Sequence, residues 1–172
     1  MTSAGLLTDA FGRIRESVTD TLYGLTPQQL TYRVDVDANP IAWLIWHLTR
    51  IQDDHVAAAF GVPQVWSEGG WATRFGLPAG SVETGYGHNR VQVAAISEAV
   101  AAAGLLADYH DAVYEQTVKL VAGITDADLE RVVDSSWRPP VTLSVRLVSV
   151  INDDMQHVGQ AAFVHGIVTR AG

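Results

Sequence analysis

The chain has 172 residues, 48% of them hydrophobic and 17% charged, with a formal net charge of −8 and no cysteine. That length suits one domain, residues 1–172, whose core is large enough to fold without staples. The acidic balance argues against a nucleic-acid partner, whose binding face would need clustered Lys and Arg. The missing cysteines exclude disulfides, thiolate zinc sites and a protein thiol nucleophile.

The N-terminus carries charges too early and too often for a secretory signal. The most apolar run, residues 93–107, is interrupted by Ser97 and Glu98 and is too short to span a bilayer. A soluble cytoplasmic protein with no membrane partner is the expectation.

Leu7, Phe11, Ile14, Val18 and Leu22 recur at three- and four-residue spacing and predict a first helix from about Leu6 to Leu22. Thr26-Pro27 supplies a cap and a first-turn proline for a short helix. A second long helix follows Asn39-Pro40 and stops at Gly61-Val62-Pro63. From Gly61 to about Asn89 the chain is rich in glycine and aromatics, an irregular stretch of the kind that covers or binds something.

A third long helix is expected over Leu105 to Val121, with a further helical piece through Val91 to Ala103. An acidic-capped turn comes next at Thr125 to Leu129. The fourth helix starts after Pro139-Pro140. The β-branched residues between Val141 and Ile151 would permit a strand, but the length and the pattern beyond Asn152 favour helix. No alternating strand pattern stands out elsewhere. The expected fold is all-α, a four-helix bundle with a long irregular segment between its second and third helices.

On the second helix His47 lies among Trp43, Leu44, Ile51 and Ala58, and Asp54 falls about 20° from it around the axis. Taken alone, His47 reads as a core histidine bonded to a carbonyl or to Asp54. On the fourth helix Asp153 and His157 stand four apart and project side by side, with Gln160 three further on. Asp154 lies near that face as well, so the sequence favours Asp153 as the acidic partner without fully excluding Asp154. Taken alone, this is a common acid–histidine pair on a solvated face. Facing helices of a bundle build metal sites from inward side chains, however. His47, Asp153 and His157 would give three protein ligands with room for water or substrate, the composition of a catalytic site. Zinc is the first choice, and the oxygen ligand keeps iron, manganese and nickel open.

The segments IAWLIWHLTRIQDDHVA and NDDMQHVGQAAFVHG, with WSEGGWATRFGLP and TGYGH between them, resemble the DinB-like metal-binding four-helix superfamily. Within it the likeness is to actinobacterial S-transferases that use mycothiol. The family's usual pattern is one histidine on the second helix and H-x-x-x-H-x-G-Q on the fourth. His47 and His157 match it, while Asp153 replaces the middle histidine. A related mycothiol-dependent maleylpyruvate isomerase also carries a carboxylate at that place. The exchange removes about one unit of site charge and so implies a less electrophilic centre.

The resemblance implies a metal-bound, mycothiol-like thiol attacking an electrophile, with Gln160 and Asp54 fixing the ligating imidazoles. It also gives Trp66, Trp71, Arg74, Tyr86 and His88 two readings: lining a pocket for a sugar-containing thiol, or capping the end of the bundle. His55 is expected on a flank, His110 at the surface between Asp108 and Asp111, and His165 near a helix end. Trp43 and Trp46 suit the core or the interface of a homodimer. Competing readings are a maleylpyruvate-type isomerase, an iron oxygenase, and a non-enzymatic metal-binding or structural protein.

Overall fold

The computed structural model describes residues 2–170. Four long helices carry the architecture: α1 (Ser3–Leu22), α3 (Ile41–Phe60), α7 (Ala103–Val121) and α8 (Leu143–Val168). Between them lie the short α2 (Pro27–Leu30), α4 (Val65–Glu68), α5 (Trp71–Arg74) and α6 (Arg90–Ala99), and a 3-10 turn over Asp126–Glu130. The all-α bundle expected from periodicity is the fold observed. Among the described residues no single helix is long and apolar enough to cross a membrane.

The boundaries follow local chemistry. Thr2 accepts the Gly5 N–H and starts α1, and Thr26 with Gln29 forms a reciprocal cap on α2. Asn89 and Gln92 do the same for α6. Gly61 ends α3 in the left-handed conformation at φ 66°, returning its N–H to the last turn.

Every residue of α3 from Ile41 to Asp53 is buried, so this helix is enclosed on all sides and serves as the spine. It packs along α8 and against α7. The pair α3/α8 is antiparallel: His47 meets His157, whereas His55 meets Arg146. Helix α1 lies on α7 and α8, with Arg15 paired to Asp111 at 2.7 Å. One continuous core of Phe11, Ile14, Trp46, Leu106, Leu147 and their neighbours fills the interior.

One element departs from the sequence expectation. Residues before α8 form a two-stranded antiparallel hairpin, β1 (Val132–Asp134) with β2 (Val141–Thr142). Strands of three and two residues are too short for a period-of-two pattern to declare itself, and β2 is continuous with the β-branched start of α8. The hairpin sets Val133 and Asp134 beside α3 and α8.

Candidate metal centre

The donor atoms of His47, Asp153 and His157 come within 4.8 Å of one another across the α3/α8 interface. His47 is almost fully enclosed, and Asp153 and His157 are half-buried. The imidazoles of His47 and His157 meet edge to face at 4.8 Å between centroids, and Trp43 stacks on His47 at 4.4 Å.

Hydrogen bonds settle which ring nitrogen carries each proton, because a carbonyl can only accept. Nδ1–H of His47 donates to the Thr84 carbonyl. Nδ1–H of His157 donates to the Asp153 carbonyl, 2.9 Å away. In its neutral form each ring therefore carries its lone pair on Nε2, a tautomer that suits a metal ligand. Asp153 Oδ2 stands 3.3 Å from His157 Nδ1, yet it is buried and finds no aligned hydrogen-bond donor among the described residues. Two oriented imidazoles beside a carboxylate oxygen short of a partner fit a divalent cation with nitrogen and oxygen ligands.

The ionisation tendencies agree with that use. Burial lowers the pKa of His47, outweighing the Thr84 hydrogen bond that favours its charged form. For His157 burial also acts downward, but the adjacent Asp153 carboxylate and carbonyl prevail and the net shift is upward. Asp153 shows the complement: burial pushes upward, His157 and His47 pull harder, and its pKa falls below the usual range. A carboxylate and two imidazoles, one of them kept neutral by burial, compose the set.

The irregular segment fixes this geometry. Gly85, at φ 94°, lies so close that a Cβ would come 2.9 Å from His47 Nδ1 and 3.0 Å from Trp43 and Trp46. Only glycine allows the backbone to pass there and aim Thr84 O at the ring. The segment is held by Arg50, fully buried one turn beyond His47. Its guanidinium donates to Glu83 O, Val82 O, Gln64 Oε1 and Tyr109 Oη at 3.0–3.3 Å. Asp53 accepts the Val65 and Trp66 amides and the Tyr109 hydroxyl and lies 3.6 Å from Arg50.

Thr84, Gly85, Arg50 and Asp53 do not follow from any local motif. Two opposite charges in the middle of an otherwise apolar helix were the available signal for the last two.

Several sequence expectations need correction. Asp54 and Gln160 do not orient the imidazoles, a task performed by the Thr84 and Asp153 carbonyls. Asp54 instead accepts from Gln64 Nε2 at 2.7 Å. Gln160 is exposed beside Phe163 and Asn39. Trp66 and Trp71 are buried, away from the three candidate ligands: Trp66 donates to Ser81 O and packs on Phe75 and Tyr109. Arg74 covers the face of Trp71 at 3.6 Å.

Tyr86 is 90% exposed, and His88 accepts from Trp43 Nε1 and stacks on Trp46. Asp154, the other candidate acid, is fully enclosed and has no protein hydrogen-bond partner among the described residues. Burial drives its pKa well above the usual carboxylate range. Its side chain points away from the imidazoles into the bundle, one residue of helical rotation (about 100°) from Asp153. His110 is also interior, not surface.

Comparison with known proteins identifies the family and the fold. A family model described as Mycothiol-S-transferase matches residues 6–169. The crystal structure of a conserved protein from Enterococcus faecalis superposes with a TM-score of 0.86 at 29% identity, covering 96% of each chain. No curated protein matches the chain.

Proposed function

The chain belongs to the mycothiol-S-transferase family, and on that premise we propose that it is a metal-dependent enzyme joining a mycothiol-like thiol to electrophiles. The observation that carries the reading is the convergence of His47, Asp153 and His157 with both imidazole protons already committed to carbonyls. Three protein donors leave a position for an exogenous ligand, and zinc suits such a set. The lack of any cysteine means that the sulfur must come from a diffusible molecule, and it suits a reducing compartment such as the cytoplasm.

When bound, a divalent cation would lower the thiol pKa from its ordinary value of about 8.5, keeping thiolate available near neutrality. The chain's own part is to hold that chemistry in place. His47 and His157 would supply imidazole nitrogens, and Asp153 negative charge that tempers the electrophilicity of the centre. The Trp43 ring over His47 keeps water from one side. The sulfur forms a bond to an electrophilic carbon, whose leaving group departs with the displaced electron pair.

Metal analysis combined with thiol consumption on a bimane electrophile tests the proposal. Wild type should hold about one divalent ion per chain and consume thiol, while His47→Ala and His157→Ala lose both. Full turnover in a metal-free variant would overturn the metal's role. A metal-loaded protein that consumes no thiol would turn the reading to a metal-binding protein.

A further inference from the structure

Beside the triad, on the hairpin side of α3, lies a cavity of about 480 Å³, within the roughly 300–1,000 Å³ typical of small-molecule sites. It adjoins the metal centre through Thr84, whose carbonyl holds His47 and which also lines the cavity. One of the two sequence readings put cosubstrate recognition on Trp66, Trp71, Arg74, Tyr86 and His88; of these Tyr86 lines this cavity, while the two tryptophans are packed inside. The cavity walls come instead from α3, the Tyr86 loop, the hairpin and α8.

Its polar groups define what it can take. Arg146 donates to Asp134 Oδ2 at 2.9 Å, so its charge is already matched. It also donates to His55 Nδ1 at 3.2 Å; since that nitrogen must offer a lone pair, this imidazole is neutral. Asp54 adds a second carboxylate with one oxygen free of any hydrogen bond. The cavity thus carries two carboxylates against one committed cation. A phosphate or carboxylate ligand would meet net negative charge and no free positive group.

Asp134 Oδ1 already accepts twice from Ser136 and its Oδ2 from Arg146. A carboxylate oxygen can accept more than one bond, however, and Asp54 Oδ2 has none among the described residues, which favours a ligand with neutral O–H donors. Two flat aromatic side chains stand at the cavity, Tyr86 and Trp137, 90% and 64% exposed. Such rings offer an apolar face to the C–H side of a sugar ring while keeping a polar edge in water.

We propose that this cavity is the subsite for the polyhydroxylated part of the thiol cosubstrate, with Asp54 and Asp134 accepting its hydroxyls and Tyr86 and Trp137 packing on its rings. The assignment rests on the thiol-transfer reading above, in which the sulfur end of the same molecule faces His47, Asp153 and His157. It places recognition on residues from three separate elements, and it makes Trp137 and Asp134 determinants of which thiol is used.

The test uses the thiol-free pseudodisaccharide glucosaminyl-inositol, titrated calorimetrically and by saturation-transfer NMR into metal-free protein. It should bind wild type saturably, and Trp137→Ala should weaken binding about tenfold, the loss expected for one ring contact. Asp134→Asn should weaken it as well, and circular dichroism confirms that both variants are folded. In turnover, mycothiol should show a lower KM than the sugar-free N-acetylcysteine, and Trp137→Ala should shrink that ratio. Equal fragment binding by wild type and Trp137→Ala would overturn the subsite, as would equal KM for the two thiols. Either result would leave the metal and transferase reading intact. Fragment binding without consumption of any thiol would do the reverse, retaining the subsite and removing the reaction.

Discussion

Two enclosed histidines of this bundle, His47 and His110, have similar surroundings and different prospects. Both sit in apolar helices, and both commit Nδ1 to a partner. Thr49 spends its only hydroxyl proton on Ile45 O, so His110 Nδ1–H donates to Thr49 Oγ1 at 3.1 Å. Its Nε2 has no hydrogen-bond partner, and no other set of three or more acidic or histidine donors gathers among the described residues. His47, by contrast, stands beside a second imidazole and a carboxylate, with donor atoms of the three within 4.8 Å of one another. The difference teaches that burial and a fixed tautomer do not make a metal site; convergent donors from a second helix do.

The sharpest way to break the comparison is to remove one convergent donor. His157→Ala should lose the bound cation and thiol turnover together, whereas His110→Leu should keep both, as read by metal analysis and bimane conjugation. Retention of metal by His157→Ala would erase the distinction.

The next effect concerns the clamp that holds the irregular segment over His47. Arg50→Met leaves the buried Asp53 carboxylate without its cation, and about 3–5 kcal/mol of stability should be lost in urea denaturation. Stability unchanged within error would mean that the Arg50–Asp53 pair does not secure the segment.

Acidification should expose the contrast from the other side. Burial lowers the pKa of His110 to about 4, against about 6.5 unfolded. Its neutral form is the one the fold accepts, so its contribution is complete above about pH 6.5 and is lost as pH falls toward 4. The loss reaches about 3 kcal/mol. His110→Leu should flatten that limb of the stability profile. Metal affinity should fall over the same direction of pH, because a proton on His157, whose pKa is raised by Asp153, competes with the cation.

Gly85→Ala is a smaller perturbation. The added Cβ at φ 94° would press on His47 and both neighbouring tryptophans, loosening the Thr84 contact. Metal affinity should drop about 10–100-fold in chelator competition while the helical spectrum persists. Smallest of all is Gln160→Ala, an exposed change that should alter stability by no more than about 0.5 kcal/mol and leave metal affinity untouched.

The sequence by itself determined the four long helices, because the 3.6-residue recurrence of apolar side chains is local and survives in any window. It also singled out His47 and His157, since polar groups in apolar helices must find partners and an i,i+4 pair shares a face. The sequence favoured Asp153, four residues before His157, without fully excluding Asp154. Only the roll of α8 against α3 decided which carboxylate meets the imidazoles and which is sealed in the core. The hairpin was hidden because strands of two and three residues carry too few positions to show a period.

The supports of the site were hidden for a different reason. Thr84 lies 37 residues from His47, and Arg146 lies 91 from His55. Contacts at such separations depend on where a glycine-rich segment returns to the bundle, and no local spacing encodes that return. The same holds for the cavity beside the triad, whose walls converge only when α3, the Tyr86 loop, the hairpin and α8 are packed together.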